Sequence, residues 1–135
     1  MLRKITHRQL NWMKSNFPVK NFNAEDQIWK ADNDVGAMML LLDGKLNVLQ
    51  ESQGRMVNIR TVLSGEAVAE EAIITSVTLR RDEAVALEPA EILSVDPRGF
   101  HKMIANNKKL AAQLAYNLVC MLSDRLQEAN RKLYK

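Results

Sequence analysis

Glu70 and Arg80 stand ten positions apart in a stretch otherwise rich in alanine and small apolar residues. A carboxylate accepts hydrogen bonds from hydroxyls, and a guanidinium presents a planar fork of donors that suits an anion such as a phosphate. Gly65-Glu66-Ala67-Val68-Ala69 precede Glu70, Glu71-Ala72 follow it, and Arg81-Asp82-Glu83 follow Arg80. If a short helix begins here, its exposed amides would add donors for the same anion. The plain alternative is that Glu70 and Arg80 form a solvated ion pair. Catalysis is not expected, because the sequence has no nucleophile set beside a base, no metal-ligand spacing and no glycine-rich nucleotide loop. His7 and His101 are isolated and suit surface or cap roles, and Trp12 and Trp29 suit packing. Cys120 is the sole cysteine, which excludes an intramolecular disulfide and a cysteine-only metal site. It lies mid-helix among apolar residues, where burial is the default.

The elements that must position these groups can be read from periodicity. Residues 3–17 read as a helix, with Ile5, Leu10, Met13 and Phe17 roughly on one face and Pro18 ending it. From about 21 to 96 the pattern is strand-like. Ile28-Trp29 and Val35 to Leu42 are strand candidates, and Asp43-Gly44 is a turn signal. Leu46 and Val48 on one side, and Met56, Val57 and Ile59 on the other, flank a polar hairpin loop from Gln50 to Arg55. Ser64-Gly65 marks another turn, Ala67 to Ile74 reads as a short helix, and Leu79 to Leu87 and Ala90 to Val95 read as two more strands. Asp96 is a good N-cap with Pro97 at the first helical position, and Asn106-Asn107 interrupts before a long helix from about Lys108 to Leu133. That helix is apolar on two sides. Leu110, Leu114, Leu118 and Met121 can cover the body of the domain. Ala112, Ala115, Val119, Leu122, Leu126, Ala129 and Leu133 alternate intervals of three and four, the seam of a coiled coil. A helix apolar on two sides needs two things to pack against, and the second is expected to be another copy of itself.

At 135 residues and a net charge of +3, the chain is one domain with an ordinary soluble composition and no concentrated basic face. No apolar run approaches the ~20 residues of a membrane span, and Met1-Leu2-Arg3-Lys4 lacks the apolar stretch of a signal peptide. A reducing, cytoplasmic setting is expected, with no membrane attachment.

From about Phe17 to Leu133 this order of elements resembles the cyclic-nucleotide-binding domain family of catabolite-activator-type regulators, kinase regulatory subunits and gated channels. The most similar stretches are Leu40 to Val48, Leu63-Ser64-Gly65-Glu66, and Ala86-Leu87-Glu88 with Glu91 to Asp96. The resemblance implies a mainly β fold with helices: an antiparallel double-stranded β-helix (jelly roll) over residues 17–96, with an N-terminal helix and, within 97–135, a long C-terminal dimerisation helix. It implies a cyclic nucleotide, cAMP or cGMP, as ligand, and no metal. Ala69, Glu70, Glu71, Ala72, Arg80 and Arg81 would hold its phosphate and ribose, with Glu70 on the ribose hydroxyl and Arg80 on the phosphate. The base-reading positions would be Ala129 and Asn130, of which only Asn130 has a side chain that can donate or accept. A homodimer is implied, with Ala115, Val119, Leu122, Leu126, Ala129 and Leu133 at its interface.

The departures from the family pattern are concrete. Ala69 stands where the family has glycine, Glu71 where it prefers an apolar residue, Arg81 where it has serine or threonine, and Asp82, followed by Glu83, where it often has alanine. Glu25 and Asp32 stand in place of turn glycines. Glu66, Glu70, Glu71, Asp82 and Glu83 against Arg80 and Arg81 describe a locally acidic pocket, which disfavours an anion. The function that the resemblance implies is a dimeric, non-enzymatic sensor domain signalling through its C-terminal helix. The alternative is a degenerate domain that has lost the nucleotide and serves as a protein-interaction module. A third reading makes it the sensory half of a DNA-binding regulator. The chain reads as a stand-alone domain with no helix-turn-helix after the long helix, so direct nucleic-acid contact is not expected.

Overall fold

The structure of the protein is a computed structural model that describes residues 1–31, 35–73 and 81–133. It contains α1 (His7–Asn16), β1 (Val19–Phe22), β2 (Gln27–Trp29), β3 (Met38–Asp43), β4 (Lys45–Ser52), β5 (Arg55–Leu63), β6 (Ala67–Val68), a 3-10 turn (Glu70–Ile73), β7 (Asp82–Ala86), β8 (Ala90–Val95), α2 (Pro97–Asn106) and α3 (Lys108–Leu133). The strands form two four-stranded sheets, β1-β8-β3-β6 and β2-β7-β4-β5, and every pairing is antiparallel. This is the jelly-roll architecture expected from the strand and turn signals.

Burial explains the sequence of each sheet. In the first sheet, Met38 and Leu40 of β3 and Leu93 and Val95 of β8 pack with Met13, Met103, Leu110 and Leu114 of the helices. Their neighbours Leu41, Ala90 and Ile92 point the other way, into the roll, beside Leu46, Val48 and Val62 of the second sheet. A sheet buried on both faces has near-continuous apolar strands, and Met38-Met39-Leu40-Leu41-Leu42 is such a run. In the second sheet β4 alternates, with Leu46 and Val48 buried between less buried Lys45, Asn47 and Leu49. Gly44 joins the two sheets at φ +108, and a Cβ there would lie 2.6 Å from the Pro89 carbonyl oxygen, so glycine is required. The β4–β5 hairpin closes on Gln53-Gly54, both at positive φ, as a type I′ loop demands.

Local capping sets the helix boundaries. α1 starts at His7 rather than at residue 3, because Thr6 and Gln9 form a capping box and Lys4 lies at φ +59, outside a helix. α2 begins at Pro97, with Asp96 Oδ1 accepting from the Gly99 amide at 2.6 Å. Asn107 caps the end of α2, and its Oδ1 accepts from the Leu110 amide at the start of α3.

One expectation needs correction. Ala67 to Ile74 is not a single short helix. Ala67 and Val68 pair with Leu40 and Met39 as β6, Ala69 adopts φ +59, and only Glu70–Ile73 turn as a 3-10 helix; Ile74 lies outside the described residues. The pairing with β3 claims the first two backbones, and the left-handed Ala69 breaks helical continuity. The strand expected over Leu79 to Leu87 is Asp82–Ala86, with residues 79 and 80 also outside the described set.

Candidate ligand site

The loop before β6 is tied to β3 by two backbone bonds, Gly65 N–H to Leu41 O at 2.8 Å and Leu41 N–H to Glu66 O at 3.0 Å. Glu66 turns back, and its Oε1 accepts from the Leu63 amide at 2.7 Å. The chain then passes through buried Ala69, whose left-handed conformation costs a residue with a Cβ about 1–2 kcal/mol. The Ala72 amide closes the following turn on the Ala69 carbonyl at 3.0 Å. Ala69 thus holds, with a methyl group, a backbone shape suited to the glycine that the family has there.

Glu70 finds its described partner on α3. Arg125 Nη1 donates to Glu70 Oε1, and both side chains are mostly buried. Arg125 Nη2 donates to the Ala67 carbonyl at 2.8 Å, and Arg60 Nη2 on β5 donates to that same carbonyl at 3.1 Å. Two guanidinium groups therefore converge on one oxygen, three residues before the Glu70 carboxylate. Arg80, expected to supply the phosphate fork, lies outside the described residues. Ala72 is buried, while Glu71 and Arg81 are exposed.

The acidic balance read along the chain changes once side chains are placed. Glu66 caps its own turn. Asp82 Oδ1 accepts from Trp29 Nε1 at 3.1 Å, and Glu83 Oε2 accepts from Gln27 Nε2 at 3.1 Å. Three carboxylates are thus engaged outside the turn at Glu70, and two arginines arrive from β5 and α3. Arg60 and Arg125 were missed by sequence reasoning. A signal existed for Arg60, which sits two residues before inward-facing Val62, so strand alternation puts a charge on the inner face of the roll. Arg125 carried no comparable signal among the other basic residues of α3.

Ala129 and Asn130 are exposed, and the Asn130 side chain makes no hydrogen bond among the described residues. The apolar stripe on α3 is also uncovered: Val119 is 64% exposed, Leu122 42%, Leu126 62% and Leu133 77%, with Ala129 exposed and Ala115 half-buried. Tyr116 joins it at 65%. On the opposite side, Asn117 is buried, its Nδ2 donating to the carbonyls of Met1 and Arg3 at 2.8 and 2.7 Å, which fastens the N-terminal segment to α3. The Met1 amino group is held below its ordinary value, chiefly by burial, with Glu66 opposing that shift and Arg125 adding to it. Cys120 is half-buried. Among the described residues no cluster of His, Cys, Asp and Glu could hold a metal, and no helix is long and apolar enough to cross a membrane.

The fold has well-matched relatives among solved structures. The Thermus thermophilus catabolite activator protein superposes with a TM-score of 0.79 at 22% identity, covering 98% of this chain and 60% of that one. A cyclic nucleotide-binding domain from Methylobacillus flagellatus gives 0.78 at 18%, covering 98% of this chain and 74% of that one. The c-di-GMP-responsive global regulator CLP of Xanthomonas campestris gives 0.76 at 15%, covering 91% and 60%. The chain thus spans about 60% of the length of the Thermus and Xanthomonas proteins. Among curated proteins none matches the sequence. Residues 19–107 match the cyclic nucleotide-binding domain family, and on that match, which takes in both sheets and the turn at Glu70, the chain belongs to that family.

Proposed function

We propose that this chain is a regulatory sensor domain that binds a cyclic nucleotide, cAMP or cGMP, at the turn over Ala69–Ala72 and reports occupancy through α3 in a homodimer. The observation that carries this reading is the junction of Arg125 with both the Glu70 carboxylate and the Ala67 carbonyl. It ties the candidate pocket directly to the helix that displays the uncovered apolar stripe. A carboxylate has about four acceptor positions, so a ribose hydroxyl can join or displace Arg125 on Glu70. Either change alters the hold of the roll on α3. The Glu71 amide, with Arg80 and Arg81, takes the phosphate against the turn that Ala69 and Ala72 form. The stripe from Ala115 to Leu133 packs against a second copy, which makes α3 the output of the sensor. Asn130 has no assigned role in one chain and can reach a base only as part of that dimer.

Calorimetry with cAMP and cGMP tests the reading. Micromolar binding that weakens about ten-fold or more in Glu70→Gln is the expected result, in line with losing one charge-assisted bond. No heat at millimolar ligand would sink it. Such a result favours the protein-interaction module instead, a reading supported by the methyl group of Ala69.

A further inference from the structure

We propose that the helical layer is a docking face for the phosphate backbone of a nucleic-acid duplex, held without regard to base sequence. Residues 1–20 and 97–123 contain nine lysines and arginines and no aspartate or glutamate, whereas residues 21–96 contain fourteen carboxylates and six lysines and arginines. The mild net charge of +3 conceals this division.

The fold turns a division along the chain into one in space. α1, α2 and the start of α3 pack together on the outer face of the first sheet, through Met13, Met103, Leu110 and Leu114. Their other sides point away from that sheet. Arg8 stands five positions before buried Met13, and Arg98 five before buried Met103, which puts each cation about 140° round its helix from the core. Lys102, one turn on from Arg98, and Lys108 and Lys109 at the head of α3 are exposed as well. Of the cations in this layer, only Lys14 meets a carboxylate among the described residues, Glu91 at 3.5 Å. The acidic roll repels the same polyanion, which orients the domain with its helices forward.

The surroundings of these cations select the partner. Exposed Asn11 and Ser15 stand among them, and such polar side chains hold phosphate oxygens together with lysine and arginine. Within residues 1–20 and 97–114, Ile104 is the only large apolar side chain that is exposed. A protein partner needs an apolar centre poor in lysine, and a lipid surface gains from apolar side chains that enter it. Neither is offered. Trp12 and Phe100 are half-buried and Phe17 is buried, so no aromatic ring is laid out for base stacking, which sets a duplex above a single strand. Backbone contacts need no groove-reading helix, so the face serves without a helix-turn-helix.

The test is fluorescence anisotropy on the intact chain with two labelled duplexes of unrelated sequence. Both should bind equally at micromolar protein, and about four phosphate contacts would weaken binding about a hundred-fold between roughly 50 and 200 mM salt. Arg98→Gln with Lys102→Gln should weaken it about ten-fold and flatten the salt dependence by about two phosphates. Lys30→Gln with Arg55→Gln removes the same charge from exposed positions on the roll and should change binding less than about two-fold. Equal losses in the two double variants would reduce the effect to net charge and overturn the face. Binding to phosphatidylserine vesicles but not to duplex would give the face to a lipid surface, and tighter binding to single strands would remove the duplex. Each overturns the proposal, as does no binding at low salt. None of these outcomes touches the nucleotide pocket, which calorimetry tests separately.

Discussion

The two halves of α3 meet different surroundings. From Lys108 to Asn117 the helix is clamped: Leu110, Ala111 and Leu114 are buried in the core, and buried Asn117 holds the backbone of the N-terminal segment. After Met121 every residue to Leu133 is exposed except Arg125. The first half is stabilised by the domain's own apolar surface. The second carries Leu122, Leu126 and Leu133 with no cover, and its described link to the roll is a single arginine. Isolated helical segments shorter than about 12–15 residues are marginal in water. The outer half therefore depends on Arg125 and on whatever closes over its stripe, whereas the inner half depends on neither.

The largest effect should come from the clamped half. Leu114→Ala removes a fully buried side chain and should cost about 2–5 kcal/mol in denaturant unfolding. A loss below about 1 kcal/mol would mean that the inner half contributes no more than the outer one, which breaks the contrast. Leu122→Asp in the outer half should instead act on association. Covering Leu122 in a dimer contributes on the order of 2 kcal/mol per subunit, so the variant should sediment as a monomer or become insoluble. A wild-type protein that is already monomeric at micromolar concentration would show that a second copy is not the cover.

Arg125→Gln probes the boundary between the halves. The charged pair is partly exposed, so its loss should cost only about 1–2 kcal/mol. Amide exchange should quicken in 70–73 and 122–133 while protection across 110–117 persists, and uniform quickening would show that the helix responds as one unit. The smallest change is expected from Ala69→Gly. Relief of the left-handed strain, about 1–2 kcal/mol, is offset by the loss of a buried methyl and by glycine's extra backbone freedom, each roughly 0.5–1 kcal/mol. Thermal unfolding should thus register a change within about 1 kcal/mol, and a drop beyond that would show that Ala69 is a packing residue that tolerates its conformation with little strain.

Features that depend on a few neighbouring residues were legible from the start. Asp96-Pro97 announces α2, Gly44 announces the passage between sheets, and the polar loop before Arg55 announces the β4–β5 hairpin. The two stripes of α3 are legible for the same reason, because helical periodicity sorts faces without knowledge of the partner. Thr6 and Gln9 also carry a local start signal, which places the beginning of α1 better than the apolar spacing over 3–17 does.

Tertiary structure decided the rest. Ala69 gives no local sign of positive φ, and its conformation follows from the pairing of Ala67 and Val68 with β3. The sequence offered an ion pair with Arg80 only as the plain alternative for Glu70, and it counted Glu66, Asp82 and Glu83 among the surroundings. Packing of α3 on the roll brings Arg125 to Glu70 from 55 positions away, and the inward face of β5 adds Arg60. Periodicity reports which way a side chain points, but the partner of a charge depends on which surfaces the folded chain brings within hydrogen-bond distance. Local sequence therefore determined the roll and the two-faced helix, while the described partners of Glu70 and of the Ala67 carbonyl came only from distant elements that pack together.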